Sequence, residues 1–204
     1  MLNAARRLIG TLSVVCTAVA AGVLAPSMSV AQANSVSPSP LLNTCTPSRL
    51  SRPFVPWWDF SRYELVPGGG FENSTWTLSG GAKRVVGSEP YAVTGTLGSS
   101  SLSLPRGSSA RSPRTCVGAT YPSIRFFIAG NGSVAVKLKH GKSVIPVGIA
   151  VARDKWAPTP VMLTLSPVLA VLSGGTARVS VRFTSLSGRP RIDDVYIDPW
   201  ARCC

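Results

Sequence analysis

"SVAVKLKHGKSVIPVGIAV", Ser133 to Val151, decides the class of fold. In its first half Val134, Val136 and Leu138 alternate with Ala135, Lys137 and Lys139. Successive side chains of a strand point to opposite faces, so this pattern puts apolar groups on one face and lysines on the other. "HGK", His140 to Lys142, then offers a tight turn, and the chain runs apolar again. The stretch predicts an antiparallel hairpin with one buried face. Pro146 cannot donate a ladder hydrogen bond, which places it on an edge strand or at a bulge.

The same signal recurs on either side. "RVSVRF" sets Val179, Val181 and Phe183 against Arg178, Ser180 and Arg182, and "SIRFFIA", Ser123 to Ala129, is a further strand. Turns fall at Ser79–Gly81, Gly130–Gly132 and Ser173–Gly175. "PVLAVLSGG", from Pro167, reads as a short helical turn or a strand. With 17 prolines, 19 glycines and no long helical period, little room is left for helix. Many short strands with frequent turns predict an all-β fold, a β-sandwich or jelly roll.

The N-terminus has a different character. Arg6 and Arg7 precede the apolar run Leu8–Leu24, and "AQA" ends at Ala33 with small residues where a signal peptidase cuts. This is the layout of a cleaved signal peptide over residues 1–33, and it predicts a secreted protein. Residues 34–44 read as a flexible leader and 45–204 as a single domain. An exported chain meets oxidising conditions, so Cys45, Cys116, Cys203 and Cys204 read as disulfide formers rather than metal thiolates. Sequence alone leaves their pairing open. Cys203 and Cys204 are neighbours, so at least one is expected to reach elsewhere or to link a second chain into a dimer.

Charge and motifs narrow the function. Lys and Arg number 21 against 8 Asp and Glu, a net charge of +13. Such a surface attracts polyanions, including acidic envelope polymers. The bases are scattered, as in "RGSSARSPR" and "SGRPR", so no specific nucleic-acid binding is expected. The one histidine, His140, sits in the hairpin turn, and no G-x-S-x-G, H-E-x-x-H or phosphate-loop motif occurs. An enzyme is therefore not expected. Only a carboxylate pair such as Asp154 with Glu89 would revive a lyase or glycosidase reading.

"PGGGFEN" and "RIDDVYID" hold the residues most suited to a metal. Alternation sends Asp193 and Asp194 to opposite faces, and an inward one needs an arginine or a cation. Glycines before Glu72 let backbone carbonyls converge. If the first and last strands are neighbours, Glu72 meets Asp193 or Asp194 in an oxygen-only site that suits Ca²⁺. The competing reading pairs Glu72 with an arginine or with backbone amides near a turn.

"LVPGGGFEN", "WTLSGGA", "SLSLPRGSSARSPRTCVG", "YPSIRFF" and "RIDDVYIDPW" together resemble a family of small secreted bacterial proteins of unassigned activity, over about Cys45 to Trp200. More distantly, "GGFEN" with a following Trp and the terminal "IDDV" resemble galactose-binding-like jelly rolls, which include many carbohydrate-binding modules. The distant resemblance implies a structural Ca²⁺ on Glu72 and Asp193 or Asp194, away from the sugar. The nearer one implies a Cys45–Cys116 disulfide. The distant resemblance implies a non-catalytic binding protein for a carbohydrate, and the basic charge extends that expectation to an anionic envelope polymer. The alternative is a structural or adhesive surface protein without a small ligand. Sugar binding of this kind uses exposed aromatic rings. The candidates are Trp57, Trp58, Tyr91 and Trp156, with Trp200 beside the terminal motif and Arg125 on a strand face as a reader of acidic sugars. Clustering of Trp57, Trp58 and Trp156 on one surface would favour sugar binding; burial of all of them would favour the structural reading.

Overall fold

A computed structural model describes residues 49–73, 75–118, 122–164 and 176–199. All of these belong to one unit of the chain, Pro40–Cys204; the other unit, Met1–Ser39, lies outside the described residues. So do the signal peptide and leader, Cys45, Cys203, Cys204, Trp200 and the "PVLAVLSGG" segment.

The hairpin forms as the sequence predicts. β9 (Gly132–His140) pairs antiparallel with β10 (Ser143–Val151), and His140 lies opposite Ser143 across the turn. Val134, Val136 and Leu138 are buried. β9 also pairs with the long β13 (Thr176–Gly188), whose Val179, Val181 and Phe183 face the same core. β13 continues the sheet to β6 (Ser109–Arg111), β3 (Thr77–Ser79) and, separately, β7 (Thr115–Gly118). These six strands make the smaller sheet.

The larger sheet has eight strands built around β14 (Arg191–Asp198). One side of β14 takes β8 (Ser123–Ala129), which carries β11 (Ala157–Pro158) and β12 (Met162–Leu163) beyond it. The other side takes β2 (Tyr63–Leu65) and β5 (Ser100–Ser103), with β1 (Leu50–Ser51) and β4 (Lys83–Val86) outside them. Every pairing among the described residues is antiparallel. The protein is an all-β two-sheet sandwich.

The core between the sheets is aromatic and branched aliphatic. Trp76 stacks on Phe183 at 5.6 Å between ring centroids, and Phe126 meets Phe183 edge-on at 4.9 Å. Alternation along β8 sends Phe126 into this core and Phe127 to the outer side of the larger sheet. There Phe127 packs with Phe54, Tyr63 and Tyr196. The short 3-10 helix η1 (Val55–Trp57) lies over that second cluster, which explains why every residue of β8 is buried. Pro56 and the left-handed Trp58 (φ 61°) make the "VPWW" stretch a turn of helix instead of a strand.

Two irregularities redirect side chains. In β10 the register slips between Pro146 and Gly148, so Ile145 points inward while Ile149 and Val151 stand 62% and 66% exposed. A one-residue slip exchanges the faces of every later residue. In β14 the register slips between Asp193 and Tyr196, and Asp194 takes φ 44°. The expectation that Asp193 and Asp194 face opposite sides is corrected by this bulge: both are buried, and both carboxyls meet Glu89.

Phe183 contacts both Trp76 and Phe126 at the centre of the core. Phe183→Ala is expected to lower the unfolding free energy by about 3–5 kcal/mol, measured by urea titration of the oxidised protein.

Candidate functional site

The glycine run has a definite task. Gly69 N–H donates to Val66 O at 2.7 Å, closing a turn with Pro67 and the positive-φ Gly68 in its middle. Pro followed by a positive-φ Gly is the signature of a type II turn. The ends of this turn grip the β14 bulge: Val66 N–H donates to Val195 O at 2.9 Å, and Val195 N–H donates to Gly69 O at 3.1 Å. A Cβ on Gly69 would lie 2.7 Å from Val195 O and 2.8 Å from Val66 O. No side chain fits there.

The bulge and turn gather the acidic residues. Asp193 Oδ2 accepts from Ser88 Oγ at 2.6 Å and from the Glu89 amide at 3.0 Å; its Oδ1 accepts from the Asp194 amide at 2.9 Å. Burial raises its carboxyl to about 6, against these hydrogen bonds. Asp194 is pushed up further, to about 8, by burial, then by the charges of Asp193 and Glu89, and by a hydrogen bond to the Glu89 carboxyl. Glu89 is buried and accepts from the Tyr91 and Val93 amides. Asp154 is exposed, so the Asp154–Glu89 pairing gives way to a Glu89–Asp194 pairing.

Glu72 follows the competing reading. Its carboxylate accepts from Ser99 N, Ser99 Oγ and Ser100 N at 2.8, 2.6 and 3.0 Å, and these bonds hold its carboxyl below the usual range. Arg84 donates to the Phe71 and Glu72 carbonyls beside it. Glu72 nonetheless adds to the repulsion felt by Asp194. The donor chemistry, carboxylate oxygens under mutual repulsion, suits a hard cation. The spacing does not make a preformed cage: among the described residues no group of three or more acidic, His or Cys side chains stands in metal-holding positions.

The aromatic candidates converge in part. Trp57 meets Tyr91 edge-on at 4.9 Å and Phe127 at 5.3 Å, and Tyr91 Oη donates to Trp156 O at 2.8 Å. The Arg191 guanidinium stands 5.4 Å from the Trp156 ring. Trp57 and Trp156 are half-buried and Tyr91 is exposed. Trp58 projects away at 84% exposure, with no ring neighbour among the described residues. Neither full clustering nor full burial of the tryptophans is met.

Arg125 requires a correction. It is buried, with its guanidinium 2.6 Å from Asp59 Oδ2 and 4.3 Å from the centre of the Phe54 ring, and Nε bound to Thr159 O at 2.9 Å. Tyr63 Oη donates to the same Asp59 oxygen at 2.7 Å. The layer over β8 covers what sequence alternation presents as an outer face. Arg125 fixes η1 to the sheet and also lines a groove beside it, with its guanidinium donors engaged by Asp59 and Thr159.

Beside the aromatic cluster runs a groove of about 580 Å³, where edge strand β10 of the smaller sheet borders β11 of the larger one. Trp57, Ile149, Val151, Arg153, Pro158 and Pro160 line it. Sequence reading misses Ile149 and Val151, because only the bulge turns them outward. It also misses Ser88, Ser99 and Ser100, whose roles depend on loop positions; the "PG" of Pro67–Gly68 is the one local signal for the turn.

No family model matches the chain, and no curated protein matches it. Its fold is similar to solved carbohydrate-binding modules. A family 61 module in complex with β-1,4-galactotriose shares 17% identity, with 67% of this chain and 98% of that one covered and a TM-score of 0.43. The C-terminal family 6 module of a marine laminarinase from Zobellia galactanivorans shares 14%, over 67% and 98%, with a TM-score of 0.42. A family 22 module joined to a xylanase of Clostridium thermocellum, complexed with xylohexaose, shares 15%, over 69% of this chain and 28% of that one, at 0.45.

The acid cluster predicts an unusual pH profile. The folded carboxyls of Asp193 and Asp194 hold protons more tightly than the unfolded chain does. Their contribution to stability is fully present below about pH 4. It is lost as pH rises through about 6 and then about 8. Asp59 and Glu72 act oppositely, losing their contribution only in acid. In EDTA the melting temperature is expected to fall between pH 5 and 9, and Asp194→Asn is expected to flatten that fall.

Proposed function

We propose that this chain is a secreted, non-catalytic carbohydrate-binding protein whose sugar stacks beside Trp57 and Tyr91. The observation that carries this reading is that Trp57, which lines the groove, meets the exposed Tyr91 edge-on, and Tyr91 Oη in turn bonds the Trp156 backbone, although the three are far apart in sequence. Pyranose rings present apolar C–H faces that pack on aromatic rings, while a few polar groups fix orientation. Here Trp57 and Tyr91 offer the platform, Ile149, Val151 and the prolines an apolar floor, and Arg153 a donor to ring hydroxyls. Glycosidic cleavage would need paired carboxylates at the sugar. The acids that do pair, Asp193, Asp194 and Glu89, are buried and serve the bulge.

The same proposal includes a structural Ca²⁺ at the acid cluster, where Asp194 would be the first ligand and Asp193 and Glu72 would have to leave their present hydrogen bonds to join it. It also includes the Cys45–Cys116 disulfide. Cys116 is disulfide-bonded, and its partner lies outside the described residues. Linkage between copies through Cys203 or Cys204 completes it.

Affinity electrophoresis through gels containing galactan, xylan or laminarin tests the sugar reading. At least one polymer is expected to retard the protein, and Trp57→Ala or Tyr91→Ala to weaken that binding about tenfold or more. Unaltered mobility in all three gels would remove the carbohydrate reading. Calcium has its own test. Added Ca²⁺ is expected to raise the melting temperature at pH 8 with concentration, and Asp194→Asn to abolish the rise.

A further inference from the structure

The six strands of the smaller sheet contain no aspartate or glutamate. Their cations stand on one face. Strand registers place Lys137 opposite Arg182 and Arg182 opposite Arg111, so a lysine and two arginines lie side by side across β9, β13 and β6. All of them are exposed, because Val136, Leu138, Val181, Phe183 and Ala110 take the inward positions. Neighbouring strands lie about 4.8 Å apart, so the row spans about 10 Å. Among the described residues the ion pair is Asp59–Arg125, on the other sheet, and no carboxylate reaches this row.

Like charges directly opposite each other destabilise a sheet. Nothing in the fold requires them here: Ala135, Thr184 and Ser109 occupy the next row on the same face without charge. The row ends beside Thr77, at a polar depression of about 270 Å³ lined by Thr75, Thr77, Arg111, Ser112, Arg114 and Ser180. Arg111 and Arg114 thus flank a hollow rimmed with hydroxyl groups.

We infer that the outer face of the smaller sheet binds an acidic polysaccharide, with successive carboxylate or sulfate groups on Arg111, Arg182 and Lys137 and one anionic group seated between Arg111 and Arg114. Arginine binds such groups through a planar fork of donors, and the surrounding Ser and Thr hydroxyls suit sugar hydroxyls. The face suits nucleic acid less. Single strands are held on aromatic platforms, and the only Phe, Tyr or Trp of these strands is Phe183, which is buried. The major groove of a duplex admits a helix or a two-stranded ribbon, and this face is wider than either. This site lies apart from Trp57 and Tyr91 and does not depend on the sugar reading given to them.

Binding of the full oxidised protein to polygalacturonate, dextran sulfate, neutral dextran and duplex DNA tests the inference. Binding to one or both acidic polymers and not to neutral dextran is expected, weakening steeply as salt rises. The triple variant Arg111→Gln, Arg182→Gln, Lys137→Gln is expected to lose about tenfold or more in affinity. A control triple, Arg52→Gln, Arg106→Gln, Arg189→Gln, removes the same charge elsewhere and is expected to change affinity less than about twofold. Trp57→Ala is expected to leave acidic-polymer binding unchanged. Equal losses in the two triples would reduce the effect to net charge and overturn the inference. So would tighter binding to DNA, or no binding to either acidic polymer. A melting temperature for each triple at or above that of the parent excludes misfolding as the cause of a loss.

Discussion

The sandwich depends on how the middle of β14 is held. At its bulge β14 loses its regular ladder, and Val195 turns both backbone groups toward the Val66–Gly69 turn. That turn fills the gap between β2, which pairs at Tyr196 and Ile197, and β5, which pairs at Arg191 and Ile192. Without it, buried amide and carbonyl groups would lack partners, each costing about 1–3 kcal/mol. The close approach of Gly69 to Val195 and Val66 is what makes the glycine run necessary. Phe71 then leaves the turn at φ 54° and anchors it in the core. A bulky residue in the left-handed region is strained by about 1–2 kcal/mol, and the burial of its ring offsets that cost.

The bulge also explains why acidic groups are buried here. A regular strand that buries Ile192 in the apolar core would bury Asp194 there as well. The bulge brings both to the Ser88–Glu89 loop instead, where Asp193 ties the loop to β14 and Asp194 shares a hydrogen bond with Glu89. Glu89 in turn caps the amides of Tyr91 and Val93. The acid cluster therefore sets the position of Tyr91, and through Tyr91 that of the aromatic cluster. A loop stapled by buried carboxylates can present an exposed ring with little lost motion, which is what a stacking platform needs.

Legibility followed the periodicity of the chain. The alternation in "SVAVKLKH" and "RVSVRF" placed Val134, Val136, Leu138, Val179, Val181 and Phe183 on inward faces, and the structure buries each of them. Alternation fails where the register slips. It gave no sign of the outward Ile149 and Val151 and separated Asp193 from Asp194, since a bulge leaves no local mark beyond a proline or a glycine. It also made Arg125 an outer residue, because nothing in "SIRFFIA" tells that η1 covers that face. The cluster of Trp57, Tyr91 and Trp156 was legible as candidates but not as neighbours. Their meeting depends on a helix, a loop and a strand end brought together from distant parts of the chain.

Charge was legible only in sum. Composition gave an excess of bases, and their scatter along the sequence argued against a basic arm. Scatter in sequence becomes order in a sheet, because Arg111, Lys137 and Arg182 sit at matching registers on adjacent strands. Asp59 takes Arg125, but Asp193 and Glu72, on the larger sheet and its loops, are held by hydrogen bonds from Ser88, Ser99 and Ser100 and from backbone amides. Pairing the acids with serines and backbone amides leaves the arginines and the lysine of the smaller sheet without partners. The two arrangements are thus linked. A fold that turned Arg111 and Arg182 onto its carboxylates would have no such row left to present.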